Sequence, residues 1–179
     1  MARRFSIDQI NEIQGRKVLF DANVLIYIFG TVDQKRWEKE YASMYARLLE
    51  QKNEIFVSYT VISEFVNSVF RSDFEIYKTQ NTLYDMRFKD FRNASAGKEA
   101  LEGIYIIVKE NILKHFGVVA KKFFKPDIEK MLKVDSLDFG DKAILSICQD
   151  NNFVLLTNDT DFTYADIDIL TSHPKILKG

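Results

Sequence analysis

The apolar positions of this chain fall into two rhythms. Residues 18–20 and 153–156 are short continuous apolar runs without alternation, and each predicts a strand buried on both faces, as in a parallel sheet covered by helices. Residues 55–57 predict a third short strand, residues 118–124 a fourth, and Ile167, Ile169 and Leu170 a last one. Elsewhere the spacing is three and four. Trp37, Tyr41, Met44, Tyr45, Leu48 and Leu49 mark an amphipathic helix between residues 34 and 52. Val61, Ile62, Phe65, Val66, Val69 and Phe70 mark another, with Thr60 as its expected N-cap and Glu64 away from the centre of its apolar face. Ala143, Ile144, Ile147 and Cys148 mark a third, opened by Asp138 and Asp141. A short helix over residues 5–15, ending at Gly15, precedes the first strand.

The middle of the chain is harder to parse. Residues 92–97 punctuate it like a turn, residues 98–116 predict a helix, and Pro126 suits the first turn of a helix running to residue 134. Basic and aromatic residues interleave at 86–92 and 121–125, a texture shared by single-strand binders and by ordinary amphipathic helix surfaces.

Composition narrows the class. The 179 residues fit one domain with a longer helical middle at about 71–125, and 46% hydrophobic residues suffice for a sizeable core. No apolar run reaches the roughly 18 residues of a membrane span, and no signal-peptide core follows Arg3 and Arg4, so a soluble, cytoplasmic protein is expected. The lone Cys148 excludes an intrachain disulfide and a multi-cysteine zinc site, and its apolar setting predicts a buried thiol. Net charge is −1 but unevenly spread: residues 71–134 carry 13 Lys or Arg against 9 acids, and residues 135–179 carry 3 against 8. That asymmetry suits a polyanion held beside metal-binding acids, and equally suits solvated helix faces.

The chemistry lies in where the acids fall. Asp21 ends the first buried strand, Glu64 and Asp141 lie in the first turns of helices, and Asp159 and Asp161 follow the strand at 153–156. Each has a structural use as a cap or a partner of the helix dipole. In a parallel sheet, however, these positions converge on one edge. Two carboxylates 4 Å apart repel by about 4 kcal/mol at an effective dielectric near 20, so a converging set must take up protons or share a cation. Oxygen ligands without His or Cys point to Mg2+ or Mn2+. His115 and His173 lie outside the pattern, and both are expected at the surface. A metal among these acids could polarise a phosphate, activate water and stabilise a leaving alkoxide, the requirements of phosphodiester hydrolysis. No nucleophile–base pair, phosphate-binding glycine loop or dinucleotide fingerprint competes.

The segments FDANVLI, the Glu64 helix, DFGDKAILSIC and LLTNDTDF, in that order, resemble the PIN-domain nucleases. The resemblance implies a three-layer α/β/α sandwich around a mainly parallel sheet, and metal-dependent endoribonuclease activity through water activated at an acidic cluster. Carried over position by position, it makes Asp21, Glu64, Asp141 and Asp159 the catalytic, metal-site acids, Asp161 an additional or substitute ligand, and Asn23 and Thr157 the residues that orient the site. Many members are toxins of toxin–antitoxin pairs, which implies an RNA substrate, a homodimer and an antitoxin-like protein inhibitor. The longer middle suits a standalone RNA-processing nuclease instead. Two other readings stay open. Haloacid-dehalogenase-like phosphatases also start with an Asp at a strand end, although they want a second Asp where this chain has Asn23. An inactive PIN-like RNA-binding or scaffolding module would share the fold, although such modules commonly lose acids that are all present here.

Overall fold

The computed structural model describes residues 2–30 and 35–179, without the side chains of residues 35 and 36. Its centre is a sheet of six strands in the order β1-β6-β5-β2-β3-β4, with every pairing parallel, among the described residues. The strands are β1 (Arg4–Phe5), β2 (Val18–Phe20), β3 (Ile55–Ser58), β4 (Gly117–Val119), β5 (Val154–Leu156) and β6 (Ile169–Leu170). The helices are α1 (Ala22–Phe29), α2 (Lys35–Glu50), α3 (Tyr59–Asn81), α4 (Phe88–Asn93), α5 (Ser95–Ile107), α6 (Lys125–Met131), α7 (Phe139–Asn151) and α8 (Pro174–Lys178). They cover both faces of the sheet, giving the three-layer α/β/α architecture. No helix among the described residues is long and apolar enough to cross a membrane.

The two central strands explain the continuous apolar runs. All residues of β2 and β5 are buried, because helices close both faces over them. The aromatic stripe of α2 is core: Tyr41, Met44 and Leu48 are fully buried, and residue 34, where that pattern begins, lies outside the described residues.

Several boundaries differ from the sequence reading, each for a local reason. The segment before Gly15 is a 3-10 helix, Ile7–Ile13, preceded by β1, a strand too short to leave a periodic signature. The cap of α3 is Ser58, not Thr60: β3 runs straight into the helix, and the Ser58 hydroxyl accepts from the Val61 N–H at 3.3 Å. Helix α3 continues to Asn81 because Phe74 extends its buried stripe, and it stops at Thr82 in a left-handed conformation, φ 57°. The helix expected over 98–116 begins earlier, at Ser95, and passes into a π turn at Val108–Ile112. The strand expected over 118–124 is β4 and ends at Val119, since its partner, β3, has by then turned into α3. The helix expected to reach 134 ends at Met131.

The basic-aromatic stretch at 86–92 is packing. Phe88 and Phe91 meet Phe70 and Phe74 with ring centroids 5.2–5.4 Å apart, and Arg87 pairs with Asp90. At 121–125, Lys121 pairs with Asp150 at 2.6 Å and donates to Ser146. Gly117 passes so close to the Phe56 ring that a Cβ there would sit 2.7 Å from it.

Candidate metal centre

The carboxyl ends of β2, β3 and β5 meet the amino ends of α1, α3 and α7, which brings the acids to one edge of the sheet. Asp21 is the most deeply placed, only 4% exposed. It caps α1: one carboxylate oxygen accepts from the Ala22 N–H at 2.7 Å. The other accepts from the Asn23 side-chain amide at 3.0 Å and from the Thr157 hydroxyl at 2.6 Å. Thr157 is itself fully buried, and its hydroxyl oxygen also accepts from the Asp159 N–H at 2.9 Å. One hydroxyl thus ties the acid after β2 to the acid after β5. Asn23 adds a second tie by accepting from the Asn158 N–H.

On the other side, carboxylate oxygens of Asp141, Asp159 and Asp161 all lie within 4.8 Å of one another. Asp141 and Asp138 form a reciprocal capping box at the start of α7, each side chain accepting from the other's N–H, at 2.8 and 3.2 Å. Asp159 caps the 3-10 turn Thr160–Tyr164 by accepting from the Asp161 N–H. Capping and clustering therefore coexist in the same side chains. Glu64, on the solvent side of α3, and the buried Asp21 stand outside that trio but within its electrostatic reach.

The charges are uncompensated. The ion pairs of the described residues engage other carboxylates, and none involves Asp21, Glu64, Asp138, Asp141, Asp159 or Asp161. Burial pushes the Asp21 carboxyl up to about 7; the Thr157 and Ala22 hydrogen bonds oppose this, and the charges of Glu64 and Asp159 reinforce it. Asp141 is likewise raised to about 7, first by burial and then by the charges of Asp138, Asp21 and Asp159. Glu64 is raised by partial burial against its neighbours and by the charges of Asp141, Asp138 and Asp159. Such a group is stabilised by protons or by a cation. Its donors are all hard oxygens, three of them close enough to share one ion, and this set fits Mg2+ or Mn2+ rather than a softer metal.

Two contributors were not visible as site residues in the sequence. Asp138 reads there only as a helix cap, yet its charge bears on both Asp141 and Glu64; two acids three residues apart at one helix start are the available signal. Tyr41 reads as part of an apolar stripe. Its buried hydroxyl donates toward the Thr157 carbonyl at 3.1 Å and the Asn158 side-chain oxygen at 2.8 Å, lies 3.2 Å from the Thr171 hydroxyl, and accepts from the Ser172 N–H. It pins the loop after β5 from behind. Residues 157 and 158 are hydrogen-bonded to α1 and α2 alike, since Asn158 also donates to the Tyr27 hydroxyl. The histidines stay apart: His115 is exposed, and His173, half-buried, stacks on Trp37 at 5.8 Å. Cys148 is buried and free.

The family model described as PIN domain matches residues 18–168, a span that takes in all these acids. No curated protein matches the chain. Solved structures share its fold, two of them at low sequence identity. One is described as VapBC2 from Rickettsia felis bound to a DNA fragment from their promoter, with 12% identity, a TM-score of 0.51, and 87% of this chain and 98% of that chain covered. The other is FitAcB from Neisseria gonorrhoeae, with 13% identity, a TM-score of 0.50, and 86% and 96% covered.

Proposed function

This chain belongs to the PIN-domain family, and on that premise we propose that it is a Mg2+- or Mn2+-dependent endoribonuclease that hydrolyses RNA phosphodiester bonds at the carboxyl edge of its sheet. PIN domains are in general nucleases, so the coarser class, a hydrolase acting on nucleic acid, comes with the family. The observation that supports the finer reading is the acid cluster: a buried Asp21 within electrostatic reach of Asp141, Asp159 and Glu64, with none of these acids in an ion pair among the described residues.

Asp141, Asp159 and Asp161 would hold the cation, with Asp21 and Glu64 as the further metal-site acids whose charge it would answer. When bound, it would supply the Lewis acidity that polarises the phosphate and makes a water nucleophilic near neutral pH. The protein's own part is preorganisation. The Thr157 hydroxyl and the Asn23 amide fix the Asp21 carboxylate before any ion arrives, and the capping box fixes Asp141. Since carboxylates raised to about 7 are partly protonated at neutral pH, loading the site releases protons, and affinity rises with pH across that range. We also propose a toxin role in the cytoplasm, with a homodimer and an antitoxin-like inhibitor as partners, a reading that the fold shared with VapBC2 and FitAcB accommodates.

The test is cleavage of single-stranded RNA, structured RNA and DNA with Mg2+, Mn2+ or EDTA, using wild type beside Asp21→Asn, with para-nitrophenyl phosphate in parallel. RNA cleavage that needs both metal and Asp21 is the expected result. Metal-independent cleavage by Asp21→Asn sinks the proposal, and phosphatase activity alone would move the chain to dehalogenase-like chemistry.

A further inference from the structure

Helix α3 has a second face that neither the core nor the acid cluster uses up. Thr60, Ser63, Asn67 and Arg71 recur at spacings of three and four, so they form a polar stripe along the helix beside Glu64 and away from the buried Val61, Phe65 and Val69. An open groove of about 440 Å3 lies over this stripe, bounded by Tyr59 at one end and by Asp138. Glu64 and Asp138 line it, so the groove opens onto the acids.

Three properties distinguish its lining. Arg71 is its sole cation, and no carboxylate among the described residues pairs with it, whereas Arg16, Arg87, Lys121 and Lys142 are each held by an Asp. Its guanidinium lies instead 4.9 Å over the Phe88 ring, which Phe70 and Phe74 hold edge-on. An Arg presented on an aromatic ring, with no carboxylate partner among the described residues, is preorganised for an external anion. Tyr59, at the acid end, is 80% exposed, an aromatic ring at the mouth of a polar groove with no place in the core. Between the two, Ser63 and Asn67 offer neutral donors and acceptors, suited to phosphate and sugar oxygens.

Resting on the nuclease reading, we propose that this groove is a track for single-stranded RNA running past Glu64: Arg71, beyond Glu64 along the helix, grips a backbone phosphate, Ser63 and Asn67 contact the backbone, and Tyr59, before Glu64, stacks on a base. The scale fits. Arg71 lies seven residues beyond Glu64, about 10.5 Å along the helix axis, which matches roughly three stacked nucleotides at about 3.4 Å each. The acids repel phosphate on their own, so an attractive contact further along the strand is what holds the substrate in register.

The test uses the full chain and a fluorescein-labelled single-stranded RNA that the wild type cleaves. KM and kcat are measured for wild type, Arg71→Ala, Arg71→Lys, Tyr59→Ala, Tyr59→Phe and, as a charge-loss control, Arg87→Ala. Binding is measured by anisotropy in the Asp21→Asn background over a salt series. Arg71→Ala should raise KM several-fold with kcat little changed, the mark of lost uniform binding. It should also reduce the salt dependence of log affinity by about 0.7. Arg71→Lys should recover part of the affinity. Tyr59→Ala should raise KM about tenfold and Tyr59→Phe should not, since stacking needs the ring and not the hydroxyl. Arg87→Ala should match wild type. If Arg71→Ala and Tyr59→Ala keep the wild-type KM, or if Arg71→Ala merely equals Arg87→Ala, the track is refuted while the nuclease reading stands. A wild type that neither cleaves nor binds RNA refutes both.

Discussion

The two ends of the parallel sheet treat the same residue type in opposite ways. At the amino end, Asp168 sits just before β6 and is fully engaged: Arg16 donates to it at 2.6 Å and the Arg3 N–H at 2.7 Å. Burial there pushes the carboxyl up, but the hydrogen bonds of Arg16 and Arg3 and their charges outweigh it, and the group ends below the ordinary carboxylate range. Close by, the Asn53 amide donates to the carbonyls of Ile13 and Arg16, closing the turn before β2. At the carboxyl end, Asp21 is more deeply buried, receives only neutral donors, faces other acids and is raised to about 7. One end spends its polar groups on holding the chain together. The other leaves negative charge unanswered, a cost to folding that makes sense when something outside the chain answers it.

The sharpest way to break this contrast is substitution at each end. Asp21→Asn should abolish cleavage, a loss of at least about a hundredfold, and should melt no lower than wild type in EDTA, because it removes a buried charge facing like charges. A clear loss of stability on Asp21→Asn would make it a structural acid like Asp168.

Next is pH. The folded-state values of Asp21 and Asp141, about 7, lie above the ordinary 3.8, so the stability these groups contribute is complete below about pH 4 and is lost as pH rises through about 7. Metal-free protein should therefore melt at progressively lower temperature from pH 5 to pH 8, and saturating Mn2+ should flatten that slope. Asp168 works the other way: its contribution is present above the unfolded value and lost as acid titrates it. A melting temperature that climbs steadily from pH 5 to pH 8 without metal would contradict the assignment of the carboxyl end.

Smaller effects refine the picture. Asp168→Asn should cost about 1–3 kcal/mol in denaturant unfolding, having removed the ionised acceptor of Arg16, and should leave kcat unchanged. Tyr41→Phe should cost about 1 kcal/mol and raise the Mn2+ concentration needed for half-maximal activity, because the loop bearing Asp159 loses its anchor. If Tyr41→Phe shifts stability but not metal dependence, the hydroxyl is packing glue alone.

The legible parts of the sequence were those where one physical requirement dominates. Continuous apolar runs revealed β2 and β5 because both of their faces are covered, and the order of acids revealed an edge because parallel strands all point one way. What escaped was set by partners far along the chain. Strand β1 exists because β6 accepts it, and Arg4 reaches the carbonyls of Thr163, Ala165 and Ile167 to hold it there. Strand β4 is short because β3 is, a fact about residues some sixty positions away. Tyr41 looked like core because its ring is core; only the third dimension shows what its hydroxyl touches. The separation of Asp138 from the other acids failed for a related reason, since a capping residue and a charge donor look alike in one dimension.

The brevity of the outermost strands bears on how these molecules can meet. The sheet ends on one side with the two residues of β1 and on the other with the three of β4, and such stubs offer an incoming strand almost nothing to bond. Lengthening the sheet from molecule to molecule, the route to fibrous aggregates, is disfavoured at both margins.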